Sequence, residues 1–413
     1  MADRYWVGGS GNWNSTTKWS TTSGGASGAS VPTASDNAIF DANSAAAHYT
    51  VTVTDNATCA DLTFTPEPAN GVTQFSVGNG FVIAGTFSTS GTQGNRRAWF
   101  RSSTTGLTRD MQIATIGTVT DVDFRDIRVT GTGGTLTGTR IGDLRGNFGI
   151  TFSTPKNCYR IGTGNWSDDQ WSDTSGGSVS TDFFPLAQDT AVFDESTSAG
   201  THTMNSAITY TGAVDMSART SALTLSTVGY SIYGNWTFGS GITMTGVSNT
   251  VFSGRNTQVI TSAGKAFSGG VAVNSFGGTV ELADALNVGG NALTVTDGTF
   301  DTMDYNVTAS QLSSSSSNVR AIKLGASTVT CSADPVNFGA TATNLTFNAG
   351  TSTITTSASG PSVTGGGVTF YNMTFTSTAA GTITINQSNT FNNLSITAPA
   401  SSGAGMRQVS FTA

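Results

Sequence analysis

The densest group of side chains that could do chemistry lies in the segment TVTDVDFRDIRVTG, residues 118 to 131. It contains Asp121, Asp123 and Asp126 together with Arg125 and Arg128. Paired carboxylates on the outer face of a β structure act as acid and base in polysaccharide-cleaving enzymes, or hold Ca²⁺. The three aspartates are therefore the catalytic candidates. The alternative, which we favour, is an exposed ladder of Asp and Arg, because neighbouring guanidinium groups keep carboxylates ionised and disfavour a general acid.

The alternation of residues in this segment also predicts its geometry. Val122 and Phe124 face one side of a strand, and the charged residues between them face the other. The alternation then flips, so that Ile127 and Val129 point inward. We therefore expect a corner of the chain near Asp126.

Two further pairs of aspartates could bind a metal ion. They occur in two similar segments, PTASDNAIFD and PLAQDTAVFD, and the two members of each pair are five residues apart. The first pair is Asp36 and Asp41, and the second is Asp189 and Asp194. Carboxylate oxygens in loops are typical Ca²⁺ ligands, but the DxDxDG spacing is missing. We favour capping of turns and strand ends by these aspartates. No cofactor is expected, and Ca²⁺ is the one metal considered.

The histidines and cysteines are too dispersed to form a reactive site. His48 and His202 occur once in each half of the chain, so neither a metal set nor a nucleophilic triad is indicated, and we expect strand-edge residues. Cys59, Cys158 and Cys331 are widely spaced and odd in number, which fits neither a disulfide framework nor a zinc site. We expect buried free thiols.

The elements that position these residues are predicted to be strands. Only 10% of the residues are charged and 51 are glycine, whereas runs such as YTVTV, ALTVT and TITIN alternate apolar and hydroxyl side chains. Alternation at period two is typical of strands with one buried face. The net charge of −7 argues against a nucleic-acid partner. The one basic spot, around Arg96 and Arg97, is interpreted as a solvated rim or as internal ion pairs. No run is long enough for a membrane helix, and no membrane insertion is expected.

A glycine- and tryptophan-rich segment occurs twice, and we call each copy a Trp module. YWVGGSGNWNSTTKWSTTSGG begins at Tyr5, and YRIGTGNWSDDQWSDTSGG begins at Tyr159. The matched tryptophans are predicted to be buried plugs of two small caps: Trp13, Trp19, Trp166 and Trp171. Trp6 is matched by Arg160, so we expect position 6 to lie at an edge or interface.

The two Trp modules divide the chain into halves. Half one spans residues 1–157, with its Trp module at 4–55 followed by β coils. Half two spans 158–413, with its Trp module at 158–205 followed by a longer β-solenoid. The last residues, MRQVSFTA, have the pattern of a fresh strand, so we expect the chain to be part of a longer gene product.

Short apolar–hydroxyl–apolar strands recur after the Trp modules at spacings of 20 to 30 residues, which is typical of coils that stack on one another. We therefore predict an all-β protein made of parallel β-helix, or β-solenoid, coils and two small glycine- and tryptophan-rich modules. A string of β-sandwiches is the competing architecture. One continuous core is expected to contain the apolar residues of three such strands: Leu345, Phe347, Met373, Phe375, Leu394 and Ile396.

The pattern of the Trp modules resembles that of the β-strand-repeat proteins of tailed phages, which also occur among bacterial surface proteins. The resemblance extends to VDFRDI, GDLRGNFGITF, TQVITSAGKAF and GTFDTMDYNVTA. It implies a virion structural or tail-fibre-like protein without shared catalytic residues, and a trimeric assembly.

These observations together predict a fibre- or spike-like virion protein that presents a β-solenoid stalk for host-surface adhesion or particle decoration. It would be assembled in the host cytoplasm as a homotrimer, with other virion proteins and a host surface polysaccharide or receptor as partners. The alternatives are a β-helical polysaccharide depolymerase and a bacterial surface adhesin.

Overall fold

The computed structural model describes residues 1–66, 69–397 and 407–412. These residues form 42 strands and two 3₁₀ helices of three residues each, Thr16–Lys18 and Thr181–Phe183. The parallel strands stack as a β-solenoid of about 16 turns, which confirms the predicted fold class. None of the helices in the described part of the chain has the length and apolar character needed to cross a membrane.

The chain divides into two compact units. Unit 1 consists of Met1–Ser198 with Met204–Ala213, and unit 2 consists of Ala199–Thr203 with Val214–Ala413. Most strands are only two to five residues long, because glycine and asparagine turns interrupt the alternating runs.

The first twenty strands lie in unit 1, except that β19 begins in unit 2. They are β1 (Ala2–Trp6), β2 (Gly11–Asn12), β3 (Trp19–Ser20), β4 (Asp36–Phe40), β5 (Thr50–Val53), β6 (Thr58–Cys59), β7 (Leu62–Phe64), β8 (Gly71–Val77), β9 (Phe81–Thr89), β10 (Arg96–Ser102), β11 (Arg109–Ile116), β12 (Val122–Arg125), β13 (Ile127–Thr130), β14 (Gly142–Asp143), β15 (Asn157–Arg160), β16 (Gly164–Asn165), β17 (Trp171–Ser172), β18 (Thr190–Val192), β19 (Thr201–Met204) and β20 (Tyr210–Thr211).

Unit 2 contains the remaining strands, apart from the first residue of β21. They are β21 (Ala213–Asp215), β22 (Leu223–Thr227), β23 (Tyr230–Ile232), β24 (Trp236–Thr237), β25 (Ile242–Thr245), β26 (Thr250–Phe252), β27 (Thr257–Thr261), β28 (Val271–Leu282), β29 (Leu286–Asn287), β30 (Leu293–Asp301), β31 (Val307–Ala309), β32 (Leu312–Ser313), β33 (Arg320–Lys323), β34 (Thr328–Cys331), β35 (Val336–Asn337), β36 (Leu345–Asn348), β37 (Thr353–Thr356), β38 (Ser362–Thr364), β39 (Thr369–Phe375), β40 (Gly381–Asn386), β41 (Thr390–Ile396) and β42 (Arg407–Thr412).

Two sheets enclose the core of the first half of the chain in unit 1. One has the strand order β3-β1-β4-β7-β9-β11-β13 and the other β2-β5-β8-β10-β12-β14. Phe75, Phe100 and Phe124 are in register on β8, β10 and β12, and the rings of Phe75 and Phe100 stack with centroids 4.3 Å apart. Equivalent residues of successive coils therefore stack directly on one another, which buries a continuous apolar column.

Unit 2 repeats this arrangement over a longer run of coils. Val280, Phe300, Ile322 and Phe347 are in register on β28, β30, β33 and β36. The first three are fully buried. Their inward column is the core against which the facing sheet packs, and it explains why strand alternation is so regular in this half of the chain.

The predicted continuous core of three recurring strands is confirmed in part. Met373 and Phe375 are fully buried on β39 and stack in register on Leu394 and Ile396 of β41. Those two are 37% and 36% exposed, so the prediction is wrong for them, because β41 is the last described strand of its sheet. Leu345 and Phe347 are half-buried on β36, which belongs to a different sheet of the same unit.

Candidate functional site

The three catalytic candidates lie at and between two corners of the chain in unit 1. Asp121 precedes β12 and Asp126 follows it, and both have φ near 58°, a left-handed conformation that aspartate tolerates better than most residues. The predicted corner at Asp126 is confirmed, and a second one occurs at Asp121. Val122 and Phe124 point into the core as expected.

The exposed Asp/Arg ladder is wrong as a description of these aspartates. Asp121, Asp123 and Asp126 are each 0% exposed. The side of β12 that carries Asp123 is covered by Tyr210, whose hydroxyl bonds the Asp123 carboxylate, and by the guanidinium of Arg97 on β10. Alternation predicted correctly that Asp123 faces away from the core, but that side of the strand is covered as well.

Arg97 is the centre of this network. Its Nε lies 2.5 Å from Asp123 Oδ2 and its Nη2 lies 2.8 Å from Oδ1, a two-pronged ion pair. Further donations reach the carbonyl oxygens of Gly94 at 3.0 Å and Arg140 at 2.7 Å. Burial acts to lower the pKa of Arg97, but the attraction and hydrogen bonds of Asp123 outweigh it and hold that pKa above its ordinary value. Arg97 is therefore charged.

Arg140 makes a second two-pronged pair with Asp121. The distances are 2.6 Å from Nε to Oδ1 and 2.8 Å from Nη2 to Oδ2. Its Nη1 also bonds Asp182 Oδ1 at 2.5 Å. The hydrogen bonds with Asp121 raise the pKa of Arg140. Because Asp182 belongs to the second Trp module, Arg140 connects the β12 corner with that module inside unit 1.

Neutral hydrogen bonds reinforce the same connection. Gly94 N–H donates to Thr181 O at 3.2 Å, and Asn95 Nδ2 donates to Ser167 O at 2.8 Å. Gln188 bonds both the N–H of Asp143 and the carbonyl of Ile141. The network therefore fastens the last coils of the first half to the second Trp module within one compact unit.

Two glycines make room for the buried carboxylates. A Cβ at Gly142 would stand 1.8 Å from Asp123 Oδ1, and one at Gly91 would stand 2.3 Å from Asp121 Oδ2. Neither carboxylate is free to move away, because Arg97 and Arg140 hold them from the other side. Glycine is required at both positions by this close approach.

Asp126, Arg125 and Arg128 each have contacts of their own. Asp126 Oδ2 accepts from Gly106 N–H at 3.0 Å, and Arg125 Nε is 3.8 Å away. The Arg125 guanidinium lies 5.0 Å from the ring centre of Trp99. Arg128 is the exposed member of the segment and pairs with Asp110, whose pKa this hydrogen bond lowers. The predicted ladder therefore exists only at that pair.

The four aspartates considered as calcium ligands cap turns. Asp36 accepts from Thr33 N–H at 3.0 Å and from its hydroxyl at 2.6 Å, and Asp189 accepts from Leu186 N–H at 3.0 Å. Asp41 and Asp194 each accept from the N–H two residues later, at 3.0 and 2.9 Å. These contacts agree with the capping interpretation. Across residues 1–66, 69–397 and 407–412, no group of three or more potential ligand side chains converges to hold a metal ion.

The matched carboxyl groups Asp36 and Asp189 differ electrostatically. The Thr33 hydrogen bond lowers the pKa of Asp36, whereas burial raises the pKa of Asp189 despite two bonds from backbone N–H groups. In Asp194 burial acts to raise the pKa, but hydrogen bonds led by that of Ser196 outweigh it and lower it. The surroundings of Asp189 in the second Trp module are therefore drier than those of Asp36 in the first.

The two Trp modules share one packing pattern. Trp19 Nε1 donates to Trp13 O at 2.7 Å, and Trp171 Nε1 donates to Trp166 O at 3.1 Å. The ring centroids are 4.9 Å apart in the first pair and 4.8 Å apart in the second. All four indoles are buried, as predicted.

The expectation that position 6 lies at an edge is wrong. Trp6 pairs with Trp19 across β1 and β3, and Arg160 pairs with Trp171 across β15 and β17. Trp6 and Arg160 are both buried. Trp6 Nε1 donates to Gly9 O at 2.8 Å, and Arg160 Nε donates to Gly162 O at 2.9 Å. At this matched position an indole and a guanidinium, both flat, each donate to the carbonyl of a glycine in the loop that follows.

The histidines and cysteines lie in strands or close to them. His48 precedes β5, with its Nε2 3.0 Å from Ala69 O, and His202 is buried in β19. The three cysteines are free and buried, as predicted. Burial raises the pKa of the Cys331 thiol to about 12, so it stays protonated.

Sequence reasoning singled out neither Arg140 nor Tyr210, the partners of Asp121 and Asp123. Neither belongs to a motif, and Tyr210 lies 87 residues from Asp123. Arg97 was part of the basic spot for which internal ion pairs were one interpretation. No protein-family model, curated protein or solved structure matches this chain.

Proposed function

We propose that this protein is a structural component of a tailed-phage virion, a fibre- or spike-like stalk that serves host-surface adhesion or particle decoration. The observation that carries the proposal is the in-register stacking of coils. Because each coil bonds both of its neighbours along the backbone, a solenoid resists bending and offers long side faces for contact with other molecules. The chain would be assembled in the host cytoplasm and act as part of the particle.

The location is tested by electron microscopy of intact particles labelled with an antibody against unit 1. Label on the tail or the head of the particle is the expected result. Label confined to the bacterial surface, with none on particles, would favour the surface-adhesin alternative and overturn the proposal.

The same proposal assigns the protein a binding and structural role and no cleavage of polysaccharide. Its densest acidic cluster is fully buried, and two of the three carboxylates are each clamped by a guanidinium. A general acid needs a proton and contact with substrate, and neither Asp121 nor Asp123 is arranged for this. We therefore assign the cluster a structural role in unit 1.

The depolymerase alternative is tested by incubating the purified chain with host surface polysaccharide, with and without Ca²⁺. No new reducing ends or unsaturated products are expected. Their release by the natural chain and its loss in Asp123→Asn, with unit 1 still folded by fluorescence, would promote the depolymerase.

We also propose a homo-oligomer, with a trimer as the expected state. Long faces of threonine and serine and the exposed apolar residues of β41 and β42, such as Ile396 and Phe411, would be covered in a closed assembly. Light scattering at micromolar concentration should give three times the chain mass of 42.2 kDa. A monodisperse monomer would contradict the assembly.

A further inference from the structure

A cleft of about 550 Å³ opens on the outer face of unit 2. Its floor crosses three successive coils, where Thr299, Ala321 and Thr346 lie in register on β30, β33 and β36. One wall contains Phe276 of β28, and a second wall contains Asn318 and Val319 of the turn before β33. The cleft is large enough for a small ligand or for part of a polymer.

An irregularity in β28 creates the first wall. The pairing of β28 with β30 shifts register between Asn274 and Thr279, and Gly277 within this stretch has φ of 69°. Such a bulge re-aims side chains out of the regular alternation. It leaves Phe276 42% exposed, with the Arg255 guanidinium 5.1 Å from the ring centre.

A buried arginine holds the second wall in place. Arg320 Nε donates to Ser314 Oγ at 2.7 Å, and its Nη1 donates to the carbonyls of Asn318 at 3.0 Å and Thr343 at 2.7 Å. Burial lowers the pKa of this guanidinium, whose hydrogen-bond acceptors in the described chain are all neutral oxygens. The turn that presents Val319 is therefore a rigid part of the cleft, although Val319 is 77% exposed.

Two amide side chains that line the cleft are held by hydrogen bonds. Asn318 Nδ2 donates to Thr296 O at 3.1 Å, and Asn344 Nδ2 donates to Ser317 O at 2.8 Å, so both amides are oriented. Asp297 is half-buried, and burial raises its pKa while the charge of Arg255 acts against this. The charged side chains that line the cleft are Asp297 and Arg320, one acid and one base, and Arg255 lies beside Phe276. The lining itself therefore has no strong net charge.

We propose that this cleft binds a neutral saccharide chain. An exposed phenyl ring packs against the C–H face of a sugar, and the carboxylate, amide and hydroxyl groups around it bond sugar hydroxyls. A sugar ring is comparable in length to the spacing of neighbouring coils, about 4.8 Å, so successive rings can follow successive coils across the floor. A peptide strand cannot be added here, because β30 and β33 already pair on both sides.

This inference rests on the adhesive part of the proposed function and gives it a site. The two fail separately. If the protein binds saccharide but the antibody labels no particle, the virion location is overturned and the saccharide site in the cleft remains supported. If the antibody labels particles but the purified protein binds no neutral saccharide, the saccharide site is overturned and the virion location remains supported.

The test uses the full chain and saturation-transfer difference NMR with maltotriose, cellotriose, chitotriose and trigalacturonate as probes. Saturation transfer to at least one neutral trisaccharide is expected, followed by a dissociation constant from titration. Transfer to trigalacturonate alone, or to none of the four, would overturn the proposal.

Two variants locate the binding. Phe276→Ala should weaken the affinity about tenfold or more, which corresponds to about 1.4 kcal/mol, and Thr299→Trp should block the floor. Tyr305→Ala is the matched control, because Tyr305 is also 42% exposed in unit 2 but does not line the cleft. Far-UV circular dichroism confirms that each variant is folded. Unchanged affinity in both cleft variants, or an equal loss in Tyr305→Ala, would contradict the assignment.

Discussion

Replacement of Arg97 by methionine should destabilise unit 1 strongly. Arg97 is 1% exposed, and its removal leaves the Asp123 carboxylate buried with the Tyr210 hydroxyl as its remaining side-chain donor. Loss of one partner from a buried ion pair costs about 3 to 5 kcal/mol, because an uncompensated charge stays in a dry environment. The carbonyls of Gly94 and Arg140 also lose a charged donor, which places the expected loss toward the upper end.

A double variant separates the charge from the packing. Arg97→Met with Asp123→Asn removes the stranded charge, and the amide oxygen still accepts from Tyr210. The double variant should therefore be more stable than Arg97→Met alone, even though it carries one more substitution. A role for Arg97 in side-chain packing alone would predict the reverse order.

Tryptophan fluorescence in urea is the assay suited to this question. Every tryptophan of the chain except Trp236 lies in unit 1, so the signal reports that unit. With a denaturant slope of about 3 kcal/mol per M, the midpoint of Arg97→Met should fall by about 1 to 2 M urea.

Arg128→Met is the control, because Arg128 forms an exposed ion pair with Asp110 and should leave the midpoint unchanged. The reasoning would be refuted by an Arg97→Met variant within about 1 kcal/mol of the natural chain, or by a double variant less stable than the single one.

Three further outcomes are expected. Phe375→Ala should lower the free energy of unfolding of unit 2 by about 3 to 5 kcal/mol by far-UV circular dichroism in urea, because the ring is fully buried; a loss below about 1 kcal/mol would contradict this. Gly142→Ala should lower the free energy of unfolding of unit 1 by about 1 to 3 kcal/mol, measured by fluorescence, because the added Cβ meets the fixed Asp123 carboxylate. Unchanged stability would show that the carboxylate can move. Carbon-13 NMR titration should place the pKa of Asp36 below 3.8 and that of Asp189 above it, and the opposite order would refute the assigned causes. The lowered pKa of Asp36 then stabilises the folded state fully above pH 3.8, and this stabilisation is lost as the pH falls through the folded pKa. The raised pKa of Asp189 destabilises the folded state fully above that pKa, and this destabilisation disappears as the pH falls toward 3.8.

Local patterns in the sequence were sufficient to predict the strands, the coil repeat and the core of each Trp module. Alternation reports which residues share a face, so the inward positions of Val122 and Phe124 and the corner at Asp126 followed from a few neighbouring residues. The repeat of the Trp module predicted burial of Trp13 and Trp19 in the same way, because both copies keep the same large side chains at nearly the same spacing.

Only the tertiary structure decided what covers the other face of a strand. Alternation distinguishes the two sides of β12 but does not show that Tyr210, 87 residues later, lies over Asp123. Burial and charge pairing depend on such distant neighbours. The presence of Trp6 in one copy and Arg160 in the other is explained by the glycine loop, to which each side chain donates a hydrogen bond. The cleft beside Phe276 likewise exists because a bulge in β28 breaks the alternation, and three later coils complete its floor.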